Sequence, residues 1–539
     1  MKEAMRQLIS LAPMLWCLVA CYLGASCSAH EWPLWTLLVC GGLLLALLRA
    51  AGASGRKALL FEAIFFSVWI LGKLLLSGVT QSYIGALPRD ESRVQFKLLL
   101  VQTPMSSGRL GKWDVGRGQT IGEMLSVQTV MSEEPCEASG RVSLQTDDIF
   151  MKENLRGMEV GDVLAGTGVF VCVPGAEDDV NGFYGEYLKA NGILRELQLE
   201  EFSLVGRDRT MSVRFSRFVR NCRELLGELL LRGVKDELSA QMLLALGLGL
   251  GEFIPSESRS RQVSSGTVHV FAISGMHVGM VALIISLLVR WCGLPLKLQW
   301  AVTALLDSAY VLLTGASPSG MRALLMALLV LYAHFRWRVP SWLNTLGLAG
   351  TAGILANPLV VLNLGFVYSY GIVAMLLMLS PVTRRLNDVL SERNAWVPRE
   401  LRRHRLTKVH SWVINGLFVS GTAWLGSAGI SMRVNHRVSL LAPLINLPLG
   451  AMVYITLMLC PAKILLSALL PCGDGIWAAV ICTSMKITDF LATCGAESNL
   501  CVPVTQVAYW QSMLFYAAFV WILIFARGAL KKGQERNGS

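Results

Sequence analysis

The chain has 539 residues, of which 53% are hydrophobic and only 16% charged. A soluble protein of this size carries roughly 25% charged residues, and disordered or fibrous chains do not tolerate so much Leu, Ile and Val; all three classes are excluded. The formal charge of +11 is uneven: residues 82–208 hold 12 Lys and Arg against 20 Asp and Glu, so the remainder is strongly basic.

On a membrane protein, basic charge marks cytoplasmic loops first and attracts polyanions second. Three apolar runs open the chain, at residues 8–26, 34–50 and 58–78. Each is close to the roughly 20 residues that cross a bilayer as a helix. A signal peptide is the competing reading of the first run, given Lys2 and Arg6 before it. Two further runs follow directly, so residues 1–80 are read as a retained three-helix anchor. Arg49, Arg56 and Lys57 place the loop between the second and third runs in the cytoplasm, together with the amino terminus.

Residues 81–208 have the composition of a water-soluble domain. Alternating runs at residues 94–98, 141–144 and 163–173, separated by turn clusters such as Ser106-Ser107-Gly108 and Pro174-Gly175, predict a small extracytoplasmic β-barrel of OB-like form. Cys136 and Cys172 both fall there, and an oxidising compartment permits a disulfide between them. Most of the 13 cysteines lie instead in apolar runs, as small buried hydrophobes. No pair has CxxC spacing, so no zinc site is expected.

Residues 209–233, with Arg214, Arg217, Arg220, Arg223 and Arg232 among Phe and Leu, predict an amphipathic interfacial helix. Residues 234–530 resume the apolar pattern, with crossings centred near Val278, Ala304, Ala327, Gly350, Val373, Phe418, Tyr454, Cys482 and Phe519. Residues 242–251 are too short to cross and read as re-entrant. Residues 384–408 carry eight basic and three acidic residues and mark the cytoplasm, as does the basic tail at 531–539. The expected fold class is thus a polytopic α-helical membrane protein of about 12 transmembrane helices, both termini inside, with an inserted β-domain.

The most unusual local sequence runs from Gly266 to Gly279, where His269, Ser274, Gly275 and His277 interrupt an apolar helix. Polar side chains at such a position face a cavity, a partner helix or a permeating solute. Ser274 with a histidine also suggests an intramembrane serine protease. Ala272 stands where a nucleophile motif wants glycine, and no second motif supplies an oxyanion hole.

This stretch resembles the signature of the ComEC-type competence channels, which import transforming DNA. Three further blocks are similar to that family: the apolar run Leu243–Gly251 closed by Glu252; Gly315 to Ala323 with Ser319 and Arg322; and Asn357-Pro358 followed by Tyr368, Ser369 and Tyr370. Asn181-Gly182-Phe183-Tyr184 looks like the end of the family's barrel domain.

The resemblance implies an inner-membrane channel for single-stranded DNA, not an enzyme, working beside a separate DNA receptor, a cytoplasmic helicase or ATPase, and a nuclease, and able to self-associate. Many members carry a metallo-β-lactamase-like domain. No His-x-His-x-Asp-His run occurs here and the seven histidines are scattered, so nuclease activity, metal and cofactor are not expected. No nucleotide-binding loop occurs either.

A strand of phosphates needs a wet path lined by cations and aromatic faces. Beside the residues above, Lys486 and Asp489, three apart on one helix face, are candidates, with Trp477 as a stacking partner. An internal ion pair is the alternative for Lys486–Asp489, and the same ambiguity holds for Asp307 with Tyr310. A small-molecule secondary transporter is the competing function; it predicts an internal inverted repeat, and none is visible.

Overall fold

The computed structural model describes residues 13–29, 55–84, 93–102, 120–129, 140–172, 184–395 and 404–518, apart from a few positions within them, with short pieces at 40–48 and 136–137. Helix α1 (Pro13–Ala29) lies along α2 (Gly55–Ile84). Their contact depends on glycine: a side chain at Gly24 would collide with the Phe65 carbonyl. Such close backbone approach is the usual means by which apolar helices associate where burial of oily surface gives no preference for a partner.

Strands β1 (Arg93–Gln102), β2 (Thr120–Thr129), β3 (Cys136–Glu137), β4 (Arg141–Gln145), β5 (Asp162–Cys172) and β6 (Ile193–Arg207) form one sheet. Val94, Phe96, Leu98 and Leu100 alternate inward on β1 and meet Leu144, Leu164, Phe170 and Leu197 in one core. β1 pairs antiparallel with β2 and with β5, β5 antiparallel with β6, β6 parallel with β4, and β4 antiparallel with β2. β3 adds to β2. Cys136 and Cys172 therefore sit on strands that do not pair, and their side chains lie outside the described residues. Helix α3 (Tyr184–Ala190) precedes β6, a strand of 15 residues that the alternation pattern did not reveal.

Helix α4 (Met211–Leu231) fills the region expected to be amphipathic. Met211, Phe215 and Phe218 are exposed near its start, whereas Leu229, Leu230 and Leu231 are buried at its end. Arg217 anchors the start by donating to the Val160 carbonyl (2.7 Å) and reaching Asp162 (3.4 Å). Further along, Arg223 donates to the Leu313 carbonyl and Arg232 to the Ser467 carbonyl (3.3 Å).

Helix α5 (Glu237–Leu248) turns back beside it. Asp236 caps α5 by accepting the Ser239 N–H (3.1 Å), and Gly249 ends it in the left-handed conformation, φ +73°. Nine of its 12 residues are buried. A helix this short and apolar, covered by protein on its faces, is the local structure expected of the brief run at 242–251.

Seven helical segments among the described residues are long and apolar enough to cross a bilayer: Val268–Trp291 (a 3-10 turn leading into a helix), Leu296–Leu313, Pro318–Phe335, Leu364–Val382, Trp412–Val434, Ala442–Leu469 and Asp474–Glu497. The chain is a mostly helical, polytopic membrane protein. These seven coincide with the crossings expected near Val278, Ala304, Ala327, Val373, Phe418, Tyr454 and Cys482. The crossing expected near Gly350 is a 15-residue helix, Trp342–Ala356, shorter than those seven. It stops because the Asn357 side chain accepts the Leu359 N–H (3.0 Å) and Pro358 has no N–H to continue the ladder. The crossing near Phe519 and most of that at 34–50 fall outside the described residues.

In chain order the remaining elements are α6 (Ser256–Ser265), α7 (Gly275–Trp291), α8 (Leu296–Leu313), α9 (Pro318–Phe335), α10 (Trp342–Ala356), α11 (Leu364–Ala395), α12 (His404–Val434), β7 (Arg437–Ser439), α13 (Ala442–Leu469), α14 (Asp474–Glu497) and β8 (Cys501–Pro503). α10 packs on α1, where a side chain at Gly347 would strike the Met14 backbone. β7 and β8 pair antiparallel at one end of the α13–α14 hairpin. At its other end, the buried Lys463 of α13 donates to the Arg232 carbonyl (2.8 Å), Ser467 Oγ (3.1 Å) and Asp474 Oδ1 (3.4 Å).

Candidate functional site

The polar block at Gly266–Gly279 is where one helix ends and another begins. Gly266, at φ +75°, closes α6, and a 3-10 turn, Val268–Val270, leads to Ser274 in extended backbone. Ser274 is the cap of α7. Its backbone N–H donates to His277 Nδ1 (3.3 Å), and its Oγ lies 2.8 Å from the same nitrogen. An N–H can only donate, so Nδ1 accepts and the neutral ring carries its proton on Nε2. His277 is 1% exposed, and among the described residues Nε2 has no partner.

Helix α9 starts beside this cap for an equally local reason. Gly315 (φ +88°) turns the chain, Ser317 accepts the Gly320 N–H (3.2 Å), and Pro318 occupies the first turn where no N–H is needed. One turn on, Arg322 is buried. Its Nη1 donates to the Ser369 carbonyl of α11 (2.6 Å), and its guanidinium carbon lies 5.8 Å from the centroid of the Tyr370 ring. Ser319 Oγ and Ser369 Oγ are 2.8 Å apart. Tyr368 Oη is 3.1 Å from Ser431 Oγ of α12. Gly275 completes the packing: a side chain there would meet Arg322 Nη2 at 2.9 Å.

The structure thus gathers Ser274, Gly275, His277, Ser319, Arg322, Ser369 and Tyr370 from the starts of α7, α9 and α11, whereas Tyr368 turns to Ser431 of α12. Arg322 Nε and His277 Nε2 are two buried N–H donors left without partners, in a cluster otherwise closed by hydrogen bonds. Orphaned donors of that kind suit a ligand rich in acceptor oxygens.

The other sequence candidates stand apart. His269 is exposed on the 3-10 turn, and the side chain of Glu252 lies outside the described residues. Asp489 faces Arg261 of α6 (3.9 Å), not Lys486, while Lys486 is exposed within electrostatic reach of Asp236. Trp477 packs at the start of α14 near Gly473. Among the described residues no hydrogen bond or ion pair joins Lys486 or Asp489 to the cluster.

Tyr370 has a second role. It also lines a cavity of about 350 Å³ with Leu18, Tyr22, Phe366 and Tyr516, bordered by Glu186 and Arg433. Arg433 donates to Glu186 at 3.2 Å, an ion pair that joins α12 to α3. Burial pushes the Glu186 carboxyl above its usual range, and the Arg433 charge opposes that only in part. The sequence did not suggest this pair, because 247 residues separate its members. Nor did it suggest Lys463 with Asp474, which meet across a turn instead of along one helix face.

A family model described as "Competence protein" matches residues 246–528. The chain is 28% identical over 155 residues to ComE operon protein 3 of Bacillus subtilis, covering 29% of this chain and 20% of that protein. It is 36% identical over 120 residues to Competence protein ComA of Neisseria gonorrhoeae, covering 21% of this chain and 17% of that protein. The matched region thus spans about a fifth of the length of each curated relative. No solved structure matches the chain.

Proposed function

Since the chain belongs to the Competence protein family, we propose that it forms a membrane channel that passes single-stranded DNA into the cytoplasm during natural transformation. The observation that carries this reading is the Ser274–His277–Arg322–Ser369 cluster. It sets a buried cation and an unpartnered N–H among helices whose composition is otherwise apolar. Phosphate oxygens are acceptors that would complete both groups, and the Tyr370 ring beside Arg322 offers a face for a base.

Direction follows from charge. The ends of α7, α8 and α9 away from the cluster carry Arg290, Lys297, His334, Arg336 and Arg338. By the positive-inside rule that end is cytoplasmic and the cluster opens outward. The channel then lies in the bacterial inner membrane with both termini inside. The sheet pairings run β1–β5–β6–β4–β2 and back to β1, which supports a small barrel of oligonucleotide-binding type placed outside, over the cluster. Passage is not catalysis; a DNA receptor, a cytoplasmic helicase and a nuclease are separate partners.

The test is transformation by purified DNA in a strain carrying His277→Ala at normal protein level. Delivery of DNA to the cytosol drops at least about tenfold if the cluster lines the path, as for other polar groups inside membranes. Wild-type delivery overturns the channel role of the cluster. Ser274→Ala tests the protease reading separately: retained function excludes a nucleophilic serine.

A further inference from the structure

Asp307 lies on the inward face of α8, in line with Thr303, Val311 and Thr314. It is 1% exposed, and its Oδ1 has no hydrogen-bond partner. The hydroxyls nearest in sequence do not help it: Thr303 donates to the Gln299 carbonyl (2.8 Å) and Ser308 to the Ala304 carbonyl (2.7 Å). The helices packed against α8 bring His277 from α7, Arg322 from α9 and Arg223 from α4. Each is already turned elsewhere, to Ser274, to the Ser369 carbonyl and to the Leu313 carbonyl. Tyr310 lies beside Asp307, and Cys460 of α13 lies beside Tyr310. Arg290, Lys297 and His334 sit at the opposite ends of these helices. Among the described residues no ion pair involves Asp307.

An ionised carboxylate with neither a counter-charge nor a full set of donors is not stable in such a place, so the group carries a proton in this closed arrangement. Asp307 is six residues before the end of α8, about 9 Å in from the end of the bundle where α7 and α9 begin. Two of the helices that cover it, α7 and α9, carry Ser274, His277 and Arg322 of the cluster. Parting them would admit water and expose the carboxyl to it.

We propose that Asp307 is a proton-binding site of the channel, loaded while α7, α8 and α9 are closed and emptied when they part to admit a phosphodiester strand. The binding of the proton stands on the burial of Asp307 alone; its coupling to strand passage rests on the function proposed above. Ionic coupling through a lone intramembrane carboxyl is a general device of transport proteins.

The experiment uses the full-length protein in lipid nanodiscs, treated with dicyclohexylcarbodiimide, an electrophile that protonated carboxyls in apolar surroundings add to, forming a stable N-acylurea. Peptide mass spectrometry should find the adduct on Asp307 and none there in Asp307→Asn. Added single-stranded oligonucleotide should lower that labelling about threefold or more. Absence of the adduct while other membrane carboxyls react overturns the proton site. Labelling that ignores the oligonucleotide overturns the coupling. In cells, Asp307→Asn should lower DNA delivery about tenfold and Asp307→Glu should retain it; equal delivery by both variants and wild type also overturns the coupling. A strain deleted for the chain that still imports DNA overturns the channel function instead, and leaves the adduct to decide the proton site.

Discussion

Arg433, on the last turn of α12, donates to the carboxylate of Glu186 on α3 at 3.2 Å, so the helix bundle grips the β-sheet domain through a half-buried charge pair. Their side chains are 24% and 12% exposed, respectively, and the Asn357 side chain adds a bond to the Ala190 carbonyl (3.4 Å) at the other end of α3.

Breaking this pair from its two sides should not cost the same. Glu186→Gln removes a carboxylate whose desolvation outweighs its partner's attraction, and stability at neutral pH should change by less than about 1 kcal/mol. Arg433→Met leaves that carboxylate buried with only the weaker attraction of Lys189, at a cost of about 2 kcal/mol. The pH dependence has a fixed sign. The folded protein holds the Glu186 proton across a window where the unfolded chain has lost it, so stability falls as pH rises through that window. Thermal unfolding in detergent should therefore show the Arg433→Met deficit shrinking from pH 7 towards pH 5.

Gly275→Ala should displace the Arg322 guanidinium, whose Nη2 lies 2.9 Å from the position the new methyl would take. The tip can shift only by leaving the Ser369 carbonyl or the Tyr370 face. A stability loss of about 1–2 kcal/mol is expected from overpacking, with DNA delivery reduced more than protein level. Comparing the two quantities in one strain separates a disturbed site from a misfolded chain.

Lys463→Ala should destabilise the bundle by about 3 kcal/mol, because it leaves the Asp474 carboxylate and the Arg232 carbonyl short of a buried donor. Lys463→Met combined with Asp474→Asn should recover much of that loss. The unfolding temperatures of the two variants in the same detergent decide the point.

What could be read in the sequence was whatever repeats along one element. Seven crossings follow from run length, and β1, β4 and β5 from alternation. The cluster at Ser274, Arg322 and Ser369 was approachable because polar residues interrupting apolar helices have few places to go. β6 was missed: its polar alternation, Glu196 to Glu200, reads as a surface segment, although it pairs with both β4 and β5. Spacing along one helix face pairs Lys486 with Asp489, but α6 folds back and presents Arg261 to Asp489. Glu186 with Arg433 and Lys463 with Asp474 meet through tertiary contact, which no periodicity encodes.

Helix α4 is held at its start by Arg217 on Asp162 and the Val160 carbonyl, and further along by Arg223 on the end of α8 and Arg232 on α13. Its 21 residues make a rod about 31 Å long. A rod tied along its length in this way acts as a strut: it fixes the spacing between the β-sheet domain and the end of the helix that carries Asp307.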